Sequence, residues 1–133
     1  MTSQRTGPPL RQIALRSFGF KYGLPDAVHF VVDMRFLSNP FWVPELKPFN
    51  GRDERVRDYV LGQARAVEFL TCYVEMITEL AERYRRKGKD QLMVAVGCTG
   101  GKHRSVVAVE FMTGLLTRRG YKVTFSHSDL GRE

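Results

Sequence analysis

One stretch constrains the fold more than any other: Val94-Ala95-Val96-Gly97-Cys98-Thr99-Gly100-Gly101-Lys102-His103-Arg104-Ser105. Its start belongs to a short apolar, β-branched run, Gln91–Val96, which reads as a buried strand. A glycine-rich turn follows, Gly97–His103, and then an amphipathic helical pattern over Arg104–Arg119 that stops at Gly120. A strand that enters a tight turn and leaves as a helix is a building unit of α/β folds. Such a turn also suits an anion. Glycines let the backbone approach a ligand closely. Successive N–H groups and the N-terminus of the following helix favour negative charge. Lys102, His103 and Arg104 add donors and charge, while Thr99 and Ser105 add hydroxyls. Gly97 through Ser105 is therefore the expected ligand-binding loop.

The flanking pattern completes an α/β reading. Gln12–Phe18 alternates apolar and polar residues, as a strand does. Gly19–Gly23 breaks it, and Leu24-Pro25-Asp26 continues as a loop. Ala27–Asp33 is a valine-rich run that reads as a second, more buried strand. Pro40, Pro44 and Pro48 forbid regular structure across Phe36–Asn50. That segment is expected to be an extended excursion anchored by Phe36, Phe41, Trp42 and Phe49. Asp53 is a plausible N-cap with Glu54 in the first turn. Apolar residues recur at helical spacing from Val56 to Tyr84, and Gly62 divides the run. Gly88 is the expected C-cap. Tyr121–Ser126 reads as a final strand. The order β-β-α-β-α-β predicts one compact α/β domain over residues 12–133. Its sheet is expected to be mixed, mostly parallel, with about four strands covered by helices. Residues 1–11, with Gly7-Pro8-Pro9, read as a disordered lead-in or linker.

Composition narrows the function classes. The 133 residues, 43% of them hydrophobic, suffice for one core without metals or disulfides. Two cysteines, Cys72 and Cys98, are too few for a disulfide framework and point to a reducing compartment. No apolar run approaches the ~20 residues that span a bilayer. The first ten residues have no apolar signal region. A cytoplasmic location with no membrane partner is expected. The net charge of +7 favours an anionic partner such as a nucleotide, a phosphosugar or RNA. No cluster has metal-ligand spacing, and neither a metal nor a cofactor is expected.

Two known anion loops can be laid against the motif. A Walker A loop needs Gly, four residues, then Gly-Lys-Ser/Thr. Here His103 follows Lys102 and Gly97 stands one residue too close, so the loop is of another kind. The cysteine-phosphatase loop, Cys-x5-Arg-Ser/Thr, is matched by Cys98, Arg104 and Ser105. In that alternative Cys98 is a thiolate nucleophile favoured by the helix N-terminus and Arg104, with Asp53 or Asp33 as general acid. Gly97 stands where phosphatases usually carry histidine.

The chain also resembles the C-terminal domain of the RapZ (YvcJ) family of bacterial nucleotide-binding and RNase adapter proteins. The resemblance rests on Ser17–Pro25, on Asp33-Met34-Arg35-Phe36-Leu37-Ser38-Asn39-Pro40 and on Gly97–Ser105. Arg119-Gly120-Tyr121 and His127-x-Asp129-Leu130 extend it, so it covers about Ile13 to Leu130. It implies a binding and adapter role rather than catalysis by this domain. Full-length members carry an N-terminal P-loop domain, expected to be absent here. The C-terminal domain is linked to small regulatory RNA and to glucosamine-6-phosphate, and helps direct an endoribonuclease to its target. The resemblance implies that Cys98–Ser105 holds a phosphate and that Lys21 faces RNA. It also implies a protein partner, a ribonuclease or kinase-like domain, and a homo-oligomer. Two departures stand out. Sugar-sensing members read Asn-Pro-His-Trp where this chain has Asn39-Pro40-Phe41-Trp42, and RNA-binding members end in a basic tail that Leu130-Gly131-Arg132-Glu133 does not supply.

Other residues carry two readings each. Asp33 and Arg35 lie two apart, so they share a face at a strand end. They either line the cleft beside the loop or pair with one another to hold the proline-rich segment. His103 contacts the ligand or caps the turn. His29 reads as a core histidine inside a strand, and His127 lies near a frayed end. Arg118, Arg119 and Lys122 are further basic residues for RNA, although solvation also accounts for them, as it does for Arg83–Lys89. Phe18, Phe20 and Tyr22 either stack on bases or pack under the loop.

Overall fold

The computed structural model of the chain describes residues 12–132. The expected lead-in of residues 1–11 lies outside them. Four strands and three helices follow in order: β1 (Gln12–Gly19), β2 (Phe30–Asp33), α1 (Glu54–Leu61), α2 (Ala66–Arg86), β3 (Gln91–Cys98), α3 (Arg104–Arg118) and β4 (Val123–His127). Short 3-10 turns occupy Phe20–Tyr22 and Pro40–Trp42. The sheet order is β2-β3-β1-β4. Every neighbouring pair is parallel, so the expected mixed sheet is in fact all-parallel.

The core follows from side-chain alternation. Ile13 and Leu15 on β1, Val32 on β2, and Leu92, Val94 and Val96 on β3 point to one face of the sheet. There they meet Leu70, Val74 and Ile77 of α2 and Met112 and Leu116 of α3, all fully buried. Helix α3 rests on β1, β3 and β4, and α2 packs on β3 and α3. This arrangement sets the N-terminus of α3 beside the carboxyl ends of β1 and β3.

The helix boundaries have local causes. The Asp53 carboxylate accepts the Arg55 N–H at 2.9 Å and caps α1. At Gly62 the backbone N–H bonds to the Asp58 and Val60 carbonyls and ends α1. Arg65 turns into the left-handed region at φ 66° before α2 begins. Both long helices close in a Schellman motif. In α2 the N–H groups of Gly88 and Lys89 bond to the Arg85 and Tyr84 carbonyls. In α3 those of Gly120 and Tyr121 bond to Thr117 and Leu116.

These motifs explain where strand expectations shift. Tyr121 is committed to the end of α3, so the last strand runs from Val123 to His127 instead of Tyr121–Ser126. Strand β2 starts at Phe30 rather than Ala27, because Ala27 sits at φ 60° and cannot continue an extended chain. His29 is exposed rather than a core residue. Its Nδ1 accepts the Met93 N–H at 2.9 Å, and its own N–H bonds to the Met93 carbonyl. His127 is not frayed: its side chain is 8% exposed and bridges Ser17 Oγ at 2.7 Å and Glu110 Oε2 at 2.9 Å.

Two glycines separate backbone strain from packing. Gly120 lies at φ 93° with nothing near a built Cβ, while Gly114 lies inside α3 with the same free space and an ordinary φ. Gly120→Ala should therefore lower stability by about 1–2 kcal/mol. Gly114→Ala should raise it by about 0.5–1 kcal/mol. Urea denaturation midpoints at unchanged slope check both signs.

Candidate anion-binding site

Strand β3 carries Gly97 and Cys98 to the end of the sheet, in register with Phe18 and Gly19 of β1 and, at Gly97, with Asp33 of β2. Gly97 thus belongs to the strand rather than to the loop. A Cβ there would come within 2.6 Å of both the Phe18 and Phe20 rings. Those rings meet edge-on at 4.7 Å, and Phe18 is fully buried. Packing under the loop, not base stacking, occupies them.

The loop proper is Thr99–His103. Its glycines lie against Gly19. A Cβ on Gly19 would sit 2.5 Å from the Gly100 carbonyl carbon. Gly101, at φ 72°, would place a Cβ 2.7 Å from the Gly19 nitrogen. Only residues without side chains permit this approach. Asp129, 3% exposed, secures it by accepting the Gly19 N–H at 2.7 Å, and Arg132 holds its other oxygen at 2.9 Å.

The proline-rich segment is stitched to the loop from the other side. The Gly51 N–H bonds to the Lys102 carbonyl at 2.8 Å, and Lys102 Nζ donates to the Lys47 carbonyl at 3.2 Å. His103 is buried, and its Nε2–H donates to the Phe49 carbonyl at 2.6 Å. Burial holds the His103 pKa below the usual histidine value; the Phe49 carbonyl opposes this, and the charges of Lys102 and Arg104 add to it. A neutral ring is the form that this environment favours.

Arg104, the first residue of α3, is 4% exposed. Its Nη1 donates to the Leu37 carbonyl at 2.8 Å and the Arg35 carbonyl at 3.2 Å, and its Nη2 to Thr99 Oγ1 at 3.4 Å. Among the described residues its buried Nε has no hydrogen-bond partner. Among the described residues no carboxylate forms an ion pair with it. Asp33 is taken by Arg35, at 2.7 Å. Burial disfavours the Arg104 charge, while the nearby Cys98 sulfur and Asp33 carboxylate favour it. A guanidinium stays protonated in proteins, so a positive charge is held here. Beneath it, Cys98 Sγ lies 3.1 Å from Ser105 Oγ and 3.4 Å from the Ser105 N–H.

Two cavities meet at Arg104. The larger, about 580 Å3, lies between the loop and the proline-rich segment. Lys21, Lys47 and Lys102 line it together with Phe41, Cys98 and His103. The second, about 540 Å3, is bordered by Leu37, Ser38, Val43 and Tyr59. Asn39, Trp42, Thr99 and Arg104 belong to both walls. Each is large enough for a small-molecule ligand.

The expected site residues divide accordingly. Cys98, Thr99, Gly100, Lys102, His103 and Arg104 do line a cavity, as does Lys21. Gly97, Gly101 and Ser105 shape the loop from behind. Asp33 and Arg35 line neither cavity: they pair with one another, and Arg35 stacks on Phe20 at 3.8 Å. Arg118, Arg119 and Lys122 lie at the opposite end of α3, a helix of 15 residues and so about 22 Å long. Arg119 is bound to Glu75 at 2.6 Å. These residues thus lie away from the cavity that Lys21 lines. The phosphatase alternative lacks its acid. Asp53 caps α1 and pairs with Arg55, away from both cavities. Arg35 holds Asp33, and Arg55 holds Asp53, below the usual carboxylate range, the reverse of what a general acid requires.

The proline-rich wall was missed as part of the site. Asn39, Trp42, Pro44, Lys47 and Pro48 face the loop across the larger cavity, and Tyr59 comes from α1. The signals available were the departure at Asn39-Pro40-Phe41-Trp42 from sugar-sensing members and Trp42 itself, a large apolar residue among prolines, which is 76% exposed. Among the described residues no group of histidine, cysteine, aspartate and glutamate is placed to hold a metal ion. No described helix is long and apolar enough to cross a membrane.

The model of the RapZ C-terminal domain matches residues 11–131. The chain belongs to this family. It is 54% identical over 126 residues to a nucleotide-binding protein of Streptomyces coelicolor, covering 95% of this chain and 42% of that one. It is 51% identical over 122 residues to a nucleotide-binding protein of Nocardioides, covering 92% and 40%. A nucleotide-binding protein of Thermobifida fusca is 53% identical over 117 residues, covering 88% and 40%. The chain thus spans about two fifths of the length of these relatives.

The His103 environment fixes a pH dependence. With the folded-state pKa of His103 below the usual histidine value, the unfolded chain binds the proton more readily. The His103 contribution to stability is complete above about pH 6.5. It is lost as pH falls through the folded-state value. His103→Gln, which keeps an N–H donor for Phe49, should flatten the fall in melting temperature between pH 7 and pH 5.

Proposed function

We propose that this domain binds a phosphorylated small molecule or nucleotide at Arg104 and uses its occupancy as a sensor or adapter signal. The observation that supports this most directly is the charge of Arg104. A buried guanidinium usually has an anionic partner, since an unpaired buried charge costs several kcal/mol. Among the described residues Arg104 forms no ion pair with a carboxylate and its Nε is unpartnered, and it borders two cavities. A ligand phosphate supplies the missing charge, with Thr99 and the N-terminus of α3 as further donors. The relatives' description as nucleotide-binding proteins agrees with such a ligand.

The adapter part of the proposal follows from how the site is assembled. Its two walls, the loop and the segment Phe36–Asn50, are joined by hydrogen bonds of Lys102, His103, Arg104 and Gly51. A ligand seated between the walls adds bonds to both and stiffens the exposed face that carries Phe41 and Trp42. A protein or RNA partner that reads this face senses the ligand.

Phosphate and nucleotides should raise the melting temperature. A ligand at 100 times its dissociation constant stabilises by about 2.7 kcal/mol. Arg104→Ala should weaken binding about 10- to 100-fold, the scale of a lost charged hydrogen bond of 1.5–3 kcal/mol. Because Arg104 also holds two carbonyls, Thr99→Val provides a second variant at an exposed position, with a smaller loss in the same direction. No shift with any phosphate compound, or equal affinity in both variants, would show the reading to be wrong.

A further inference from the structure

The two walls of the larger cavity differ in what they offer a ligand. The loop wall brings polar groups, with Thr99, Gly100 and Arg104 lining it. The proline-rich wall brings few. Pro44 and Pro48 carry no N–H. Neighbouring N–H groups are spent within the segment. The Phe41 N–H bonds to Asn39 Oδ1 and the Trp42 N–H to the Asn39 carbonyl, each at 3.1 Å. Those of Val43 and Lys47 bond to the Pro40 and Val43 carbonyls, each at 2.9 Å. The Lys47 ammonium lies 4.5 Å over the Phe41 ring. What this wall presents instead is flat apolar surface, the rings of Phe41, Trp42, Pro44 and Pro48. Phe41 and Trp42 meet edge to face at 4.9 Å on a turn fixed by the Asn39 cap and the buried Pro40. Both rings are nonetheless exposed, so their apolar surface is uncovered.

Resting on the phosphate-binding reading above, we infer that the ligand is an aryl phosphate, a phosphate monoester carried on a single aromatic ring. Its phosphate lies at Arg104 and Thr99, and its ring lies against Trp42 and the prolines, with Phe41 completing the wall. The chemistry of the two walls sets this polarity. A hydroxyl-rich body such as a hexose turns its hydroxyls toward a surface whose N–H groups are already taken, and each unmatched hydroxyl costs its desolvation. An aromatic ring needs no hydrogen bonds there and gains stacked and edge-to-face contacts. Two sources carry this chemistry, a free aryl phosphate and a phosphotyrosine side chain. Lys21 and Lys47, exposed and lining the same cavity, suit acidic residues beside such a side chain.

The test is calorimetric titration of the full chain at constant ionic strength. The probes are inorganic phosphate, methyl phosphate, phenyl phosphate, glucose 6-phosphate, AMP and a phosphotyrosine peptide with acidic flanks. Phenyl phosphate should bind about tenfold more tightly than methyl phosphate or glucose 6-phosphate, a difference of about 1.4 kcal/mol. Trp42→Ala, at an exposed position, should bring phenyl phosphate down to the methyl phosphate level, and Trp42→Phe should restore most of the difference. A peptide that binds more tightly than phenyl phosphate, and loses that gain in Lys47→Ala, identifies phosphotyrosine as the source. Equal or weaker binding of the peptide identifies the free compound. Methyl phosphate, glucose 6-phosphate or AMP binding as tightly as phenyl phosphate would overturn the inference while leaving phosphate binding intact, and so would a Trp42→Ala variant with undiminished affinity for phenyl phosphate. Silence toward every probe, inorganic phosphate included, by calorimetry and by melting temperature, would overturn the phosphate-binding reading as well.

Discussion

The site depends on two stretches of backbone lying against one another with no side chain between them. Gly19 ends β1, and Gly100 and Gly101 turn back over it at distances that exclude a Cβ on Gly19 or Gly101. Gly51 makes a similar approach from the proline-rich side, where a Cβ would meet the His103 carbonyl at 2.5 Å. Between these contacts the loop is held down from two directions. It is thereby fixed over the carboxyl ends of β1 and β3, where parallel sheets place their ligands. Asp129 then satisfies the Gly19 N–H that the close approach shields from water.

On this platform Arg104 does two opposed things. It ties the Leu37 and Arg35 carbonyls to the start of α3 and so positions the segment that forms the far wall. It also carries a charge into a nearly closed environment without a counter-charge of its own. Neutral acceptors offset part of the desolvation cost, and the Asp33 carboxylate that is nearest in the sheet is already bound to Arg35. An arrangement of this kind leaves an electrostatic demand unmet, at the expense of stability.

The fold was largely legible where a residue acts on its own neighbours. Asp53 caps the helix it precedes, Gly88 and Gly120 end theirs, and the strand–turn–helix of the loop reads directly from valine, glycine and basic residues. Errors arose where a distant partner decides. Gly97 looks like a loop glycine until Phe18 and Phe20 are seen to need its missing Cβ. His103 lines the cavity as its place in the loop suggests, but that its Nε2 binds a carbonyl 54 positions away was not legible. Ala27 lies in a valine-rich run but takes a left-handed conformation that no local pattern announced. Beyond Asn39–Trp42, the proline-rich wall gave no sign of facing the loop, because prolines reveal only what a segment cannot form. The basic residues illustrate the same limit: Lys21 and Arg119 look alike in sequence, and the helix between their locations assigns one to the cavity and the other to Glu75.

The Asp129 contact has a consequence for the order in which the molecule is completed. Asp129 binds Gly19 across 110 positions, and Ser17 meets His127 across the same separation. These contacts close nearly the whole described chain into a ring, so they carry a large loop-closure entropy and form late. The glycine-rich turn can adopt its shape locally, but its platform is not locked until the strand β4 and the residues after it are in place. During synthesis the pocket therefore matures only when the end of the domain has emerged. A chain interrupted before that point would have most of its sheet and an unsecured loop. In this way the glycine platform reports on strand β4 and the residues that follow it.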